Sequence, residues 1–463
     1  MFDKLRSKLK DTKSLKFSFG DHLFNPHNLT FPSIPKSLRL PTQNLLKMVQ
    51  LTNSRFGTAQ SLRSRLVNSN MYTSFKSASL MLRKMVNKKT ILGSLGSTLA
   101  IYLAYEYNPF VTKVMLSYDN NEFNSQVLSG LTQLTQGHFY PSPVCTTALQ
   151  QSIMNNQVHE ATVRFNREPL VLPDGGQVTL DWALPTKRIE FIGTPVFGKY
   201  YPYEPSKDSK IMFIIHGLTG GSETQYIQTL VQAACQKGYR VVVMNQRGIN
   251  QPLTTPMPFH GGHHKDLEFA ISHVKRKYPN APLLAVGTSF GGNQLLRYLG
   301  DNPNKKDFDA GVLLSAPFDL EDCLKGVENS VYEEFFIKSY FEKTFLPHID
   351  TYQALAESHG ILVEDILKVK SLRDYHSLFT VKLYEHKDIQ DYFILSKVFD
   401  SHINNVKIPL LVLHSKDDPI AVSKSIPVET LAKNPNIIYA ETKRGGHLCW
   451  FTGFKPRRVK ILF

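Results

Sequence analysis

Three short stretches of the chain carry residue types that could run acyl-transfer chemistry. Gly287-Thr288-Ser289-Phe290-Gly291-Gly292 follows the apolar run PLLAV and opens NQLLRYL. In that setting, strand then turn then helix, GxSxG has a mechanical meaning. Glycine two residues either side of Ser289 lets the backbone make a strained turn that lifts the hydroxyl above a sheet at a helix N-terminus. A serine hydroxyl is a poor nucleophile at neutral pH, so it needs a base, and the base needs a group that fixes its tautomer. His447, in Gly445-Gly446-His447 after the run NIIYAE, is the candidate base, its loop freed by two glycines. Asp417 and Asp418, in Lys416-Asp417-Asp418-Pro419 after IPLLVLHS, are adjacent acids of which only one can face it. His216-Gly217-Leu218-Thr219-Gly220-Gly221 ends the run IMFII in a glycine-rich turn. The backbone N–H groups of Leu218 and Phe290 are the expected oxyanion donors, and His216 itself is expected to be structural.

These residues need a rigid frame, and the chain beyond residue 170 predicts one. Apolar runs at 177–182, 211–215, 239–245, 282–287, 310–315, 408–414 and 436–440 read as strands. Segments at 225–237, 266–278 and 293–299 have apolar residues at helical spacing and fall between them. This is the pattern of a mostly parallel, doubly wound α/β sheet. Between Pro317 and Ile408 the strand signal stops and aromatics accumulate, among them Tyr332, Phe335, Phe336, Tyr340, Phe341 and Phe345. A helical cap over about 320–405 is expected, its aromatics lining an acyl pocket or forming the cap's own core.

The formal charge of +15 on 463 residues suggests nucleic acid until it is divided along the chain. Residues 1–90 hold 17 Lys and Arg against Asp3, Asp11 and Asp21, leaving a net of only +1 for the rest. A basic tail on a neutral domain suits an anionic membrane surface or a targeting receptor and argues against nucleic-acid binding. The tail reads as a loosely ordered extension. Ile91 to Tyr105 is uncharged and has a basic flank, so 91–107 is expected to be a single-pass membrane anchor, with a buried helix as the alternative. The compartment, endomembrane or mitochondrial, stays open, as does the oligomeric state. Cys145, Cys235, Cys323 and Cys449 lie too far apart for a zinc motif and read as buried thiols. No phosphate-cradling GxxxxGK[ST] or GxGxxG motif is present, and no cofactor or metal is expected. His386 to Asp391 has an HxxxxD form, read as a solvated helix face rather than an acyltransferase motif.

From about Leu172 to Trp450 the chain resembles the α/β-hydrolase family of YheT-type esterases, yeast medium-chain ethyl ester synthase/esterases and single-span mammalian α/β-hydrolase-domain phospholipases. The resemblance rests on Asp174-Gly175-Gly176, Leu180-Asp181-Trp182, His216 to Ser222, Asn245-Gln246-Arg247-Gly248, Asp266-Leu267, the Ser289 turn, Asp391-Tyr392-Phe393, Asp417-Asp418-Pro419 and Gly445-Gly446-His447. It implies an α/β-hydrolase fold and an esterase or lipase that cleaves short- to medium-chain acyl esters of lipid-like substrates through an acyl-enzyme. It also implies the Ser-Asp-His order seen here. In the usual family form the acid stands three residues after a His-Gly pair. Ser415 replaces that glycine, which selects Asp418 as the acid and leaves Asp417 as a solvated loop residue. Members usually carry a sizeable helix after the histidine loop, so one cover of the sheet is expected to be missing. The other readings are an acyltransferase to alcohols and a non-catalytic scaffold that keeps the fold.

Overall fold

Apolar runs bounded by turns set the sheet, and every residue of the runs IMFII and RVVVMN is buried. A computed structural model describes residues 112–458 except 136, 159, 160, 190–198 and 256. In chain order the strands of its main sheet are β1 (Met115–Tyr118), β2 (Asn166–Val171), β3 (Gln177–Ala183), β4 (Ile211–Ile215) and β5 (Arg240–Asn245). They continue with β6 (Leu283–Thr288), β7 (Ala310–Leu314), β8 (Leu410–Ser415) and β9 (Ile437–Thr442). They lie in the order β1-β9-β8-β7-β6-β4-β5-β3-β2. The six strands from β9 to β5 are parallel, and antiparallel strands close both edges.

The period-two alternation of a strand sends neighbouring residues to opposite faces, so a fully apolar strand must be covered twice. On one face Ile211, Phe213 and Ile215 pack with Leu267, Ile271 and Leu295. On the other Met212 and Ile214 pack with Ile227 and Val231. The covering helices are α2 (Gln225–Gln236), α3 (Lys265–Lys277) and α4 (Phe290–Asp301), with α1 (Ala148–Gln157) upstream of the sheet's central strands. This is an α/β-hydrolase fold with a mostly parallel sheet.

Two strands escape the pattern reading for a physical reason. β1 has no fully buried residue described, and β2, NREPLV, buries only Leu170, so neither shows an apolar run. The expected bare face is also corrected. Leu413 of β8 and Ala440 of β9 are covered by Val114, Leu134 and Phe139 from the N-terminal side of the domain together with Trp450.

Between β7 and β8 the chain is helical, including α5 (Leu320–Val327), α6 (Val331–Tyr340), α7 (Ile349–Ser358) and α8 (Ile389–Ser396). Its aromatics build the cap's own core. Tyr340, Phe345, Tyr352, Tyr375 and Phe379 are buried together, with the Phe345 and Tyr352 rings stacked at 4.7 Å between centroids. Among the described residues no helix is long and apolar enough to cross a membrane. The basic extension at 1–90 and the anchor expected at 91–107 lie outside the described residues.

Candidate active site

In an open parallel sheet the strands' carboxyl ends share one edge, where ligands bind. Ser289 follows β6, His216 follows β4, Asp418 follows β8 and His447 follows β9, so the topology alone gathers all four. Ser289 stands at the N-cap of α4 with φ 49° and ψ −123°, a strained conformation for a side chain with a Cβ. The turn is tight enough that a Cβ on Gly291 would lie 2.3 Å from the Ile215 carbonyl oxygen. His447 Nε2 lies 2.8 Å from Ser289 Oγ, and His447 Nδ1 lies 2.9 Å from Asp418 Oδ2 and 3.1 Å from Oδ1. An Nδ1–H held by the carboxylate leaves Nε2 as the acceptor for the serine proton.

Asp418 is buried, which disfavours its charge. The adjacent His447, with His414 and the backbone N–H of Ile420, outweighs that burial and holds its carboxyl below the usual range. Asp417 does not behave as the solvated acid expected from the sequence. Its side chain is only 17% exposed and Oδ1 accepts from the Gly446 N–H at 3.0 Å. Burial raises its pKa, and neither that bond nor the Arg444 charge reverses the shift. The reason lies in the turn: β8 ends in Ser415, and the two acids that follow both point back to the histidine loop instead of one pointing out.

Leu218 and Phe290 line the same cavity of about 170 Å³ as Ser289 and His447. Among the described residues neither backbone N–H donates a hydrogen bond, so both donors remain open for an oxyanion. The loop comes so close to the serine that a Cβ on Gly217 would sit 2.9 Å from Ser289 Cβ. His216 is structural: its Nδ1 pairs with the Gly217 carbonyl, its Nε2 accepts from the Gln246 N–H, and burial lowers its pKa to about 4.

A buried polar network fixes that loop from beneath. Asp181 accepts from Ser222 Oγ at 2.5 Å, Asn245 Nδ2 at 2.8 Å and Arg167 Nη2 at 2.7 Å, while Asn245 Oδ1 accepts from the Ser222 N–H at 2.9 Å. These positioning roles are not legible in the sequence, although an acid inside the otherwise apolar TLDWA run was a signal. The HxxxxD pattern is resolved as local structure. Asp388 caps α8 through the N–H groups of Gln390 and Asp391, and His386 pairs with His260 at 2.9 Å between their Nε2 atoms. Neither end of the pattern lines the cavity around Ser289.

The cavity wall on the cap side is mostly aliphatic, with Leu320, Leu324, Val327 and Leu372, and carries Ser339 and Lys343 as polar groups. A second space of about 490 Å³ shares Asn155, Thr219, Gly220, Thr224 and Lys343 with it and is bordered by Asn250 and Gln251.

Comparison with known proteins agrees with this architecture. The family described as serine aminopeptidase, S33 (Hydrolase_4), matches residues 206–435. The Escherichia coli protein YheT is 30% identical over 61% of this chain and 78% of its own length. The chain belongs to this α/β-hydrolase family. Bovine "Phospholipase ABHD3" is 29% identical over 79% of the hydrolase chain and 85% of its own. A "Monoacylglycerol lipase" of Saccharomyces cerevisiae is 28% identical over 64% and 72% respectively. The hydrolase is therefore of the esterase and lipase type, and its cavity, aliphatic toward the cap and polar toward the oxyanion turn, is the feature that remains to be matched with a substrate.

Proposed function

We propose that the protein is a serine esterase acting on acyl esters of lipid-like molecules. The observation that carries this reading is the chain of contacts from Asp418 through His447 to Ser289 at the floor of an aliphatic cavity. Ser289 Oγ attacks the acyl carbonyl while His447 Nε2 takes its proton, and the N–H groups of Leu218 and Phe290 receive the oxyanion. His447 returns the proton to the leaving alcohol. Water, deprotonated by the same imidazole, then releases the acyl group from Ser289.

The acyl chain lies against Leu320, Leu324 and Val327, and the polar alcohol part occupies the adjoining space near Asn250 and Gln251. Relatives named as a phospholipase and a monoacylglycerol lipase support a lipid ester as substrate. Association with a membrane through 91–107 belongs to the same proposal, resting on the uncharged run and its basic flank. Transfer to an alcohol instead of water would use the same acyl-enzyme. The strained Ser289 turn argues against a scaffold, since such strain costs on the order of 1–3 kcal/mol and persists where function needs it.

Hydrolysis of chromogenic esters from about two to sixteen acyl carbons, measured for wild type and Ser289→Ala in one detergent, tests this. Activity that peaks at a defined chain length and disappears in the variant is the expected result. Equal rates for both proteins at every length would refute it.

A further inference from the structure

The histidine loop contains two consecutive glycines, which give it reach but no side chain with which to hold position. Gly446 has φ 64° and Gly445 φ 159°, so the loop adopts a backbone that most residues resist. Something outside the loop must therefore fix the peptide on which His447 hangs.

Both polar groups of Gly446 are gripped by the last residue of β8 and the turn that follows it. Asp417 Oδ1 accepts from the Gly446 N–H at 3.0 Å, and Ser415 Oγ donates to the Gly446 carbonyl at 2.7 Å. Ser415 is fully buried, and the same turn carries Asp418. Three attachments thus join the end of β8 and its turn to the loop: Ser415 and Asp417 at Gly446, and Asp418 at His447. Asp417 is an unusual choice for a merely structural bond. Its carboxylate is buried, with the Ser415 hydroxyl beside it and Arg444 Nη1 paired to Oδ2 at 3.7 Å, while Oδ2 itself makes no hydrogen bond. Burying a carboxylate costs free energy that its bond to the Gly446 N–H only partly offsets.

Resting on the serine-esterase reading above, we infer that Asp417 is a positioning residue which, with Ser415, clamps the Gly446 peptide and so sets the imidazole of His447 between Asp418 and Ser289. The clamp acts before substrate arrives. Without it the loop keeps its fold, but His447 samples positions off the line from Asp418 to Ser289, and proton transfer slows without weakening substrate binding. A misplacement of about 1 Å costs on the order of 100-fold in rate.

The test compares kcat and KM on one neutral acyl ester for the full chain and for Asp417→Leu, Asp417→Asn, Ser415→Ala and Ser289→Ala. Leucine fills the space of aspartate without an acceptor, whereas the asparagine amide oxygen can still accept from Gly446. Asp417→Leu is expected to lose about 10- to 100-fold in kcat with KM within roughly twofold of wild type, and Asp417→Asn to recover most of that loss. Should the leucine variant not fold, Ser415→Ala probes the other half of the clamp and is expected to lower kcat several-fold at constant KM. Wild-type kcat in Asp417→Leu or, failing that protein, in Ser415→Ala overturns the clamp. Equal loss in the leucine and asparagine variants also overturns it. Activity persisting in Ser289→Ala contradicts the serine reading itself, whereas an inactive Ser289→Ala beside an unimpaired Asp417→Leu overturns the clamp alone.

Discussion

The reacting edge of the sheet and the helical cap are held by different interactions. At the edge, polar bonds between residues far apart in sequence fix each group: Asp418 to His447, Asp417 to Gly446, and Asp181 to Ser222 and Asn245. In the cap, aromatic rings pack on one another and the cavity wall is mostly aliphatic. Polar contacts also tie the cap to the body, among them His260 with His386, His348 Nε2 with the Gly248 carbonyl and the Tyr384 hydroxyl donating to the Pro258 carbonyl at 2.7 Å, but they lie outside the aromatic core. Directional bonds fix reacting atoms to fractions of an ångström, while apolar packing tolerates substitution if volume is kept. In the proposed reading the edge sets which reaction occurs, and the cap sets which substrate undergoes it.

That division is broken most severely at the edge. Ser289→Ala is expected to lower kcat by roughly 10⁶-fold while leaving the unfolding midpoint of the cap unchanged. Asp418→Asn should cost about 10⁴-fold, because the amide favours the wrong imidazole tautomer, and single-turnover acylation rates would record it. In the cap, Phe379→Ala removes a fully buried ring and should destabilise the fold by about 3–5 kcal/mol in denaturant titration. At a temperature where that variant is folded, kcat on an acetyl ester should stay near wild type; a loss as large as that of Asp418→Asn would end the proposed separation of roles.

Acid sharpens the contrast. Burial keeps His260 and His376 uncharged, lowering both to about 3 from 6.5 in the unfolded chain, and the neighbouring His263 and His386 charges and Arg297 add to the effect on His260. The unfolded form takes up protons first, so their stabilising contribution is complete above pH 6.5 and is lost as pH falls from there toward 3. Each should withdraw roughly 1 kcal/mol per pH unit over that window. His216 adds the same effect down to about 4. Asp418 runs the same way but in a more acidic window, its contribution being present above its ordinary value of 3.8 and lost as pH falls through its lower folded value. Chemical unfolding at pH 7.5 and 5 should show the decline, and His376→Gln should flatten it. The smallest effect is expected at the cavity wall, where Leu324→Phe should shift preference toward shorter acyl chains by about tenfold, seen as a change in the ratio of kcat/KM values.

The difference between the regions also governs what the sequence reveals. Ser289, Asp418 and His447 were legible because each follows an apolar strand in a local motif, and parallel topology then brings the strand ends together. The strands at 211–215 and 240–245 were legible for the same reason, being apolar or nearly so, and the strand at 177–183 by the alternation of Val178, Leu180 and Trp182 with polar residues. β1 and β2 were not, since edge strands with one exposed face need no apolar run. Asp417, expected as a solvated loop acid, is instead turned inward, because adjacent side chains usually diverge whereas the turn after Ser415 sends both acids to one loop. The aromatics of the cap could not be assigned in advance because their partners lie on helices from Val331 to Thr380, and only packing decides which face the cavity.

Reaction with a fluorophosphonate probe, followed by peptide mass spectrometry, tests whether Ser289 is an activated nucleophile. One adduct per chain is expected, on Ser289, formed much more slowly in His447→Ala and absent in Ser289→Ala. An adduct on another residue, or equal labelling of wild type and His447→Ala, would contradict it.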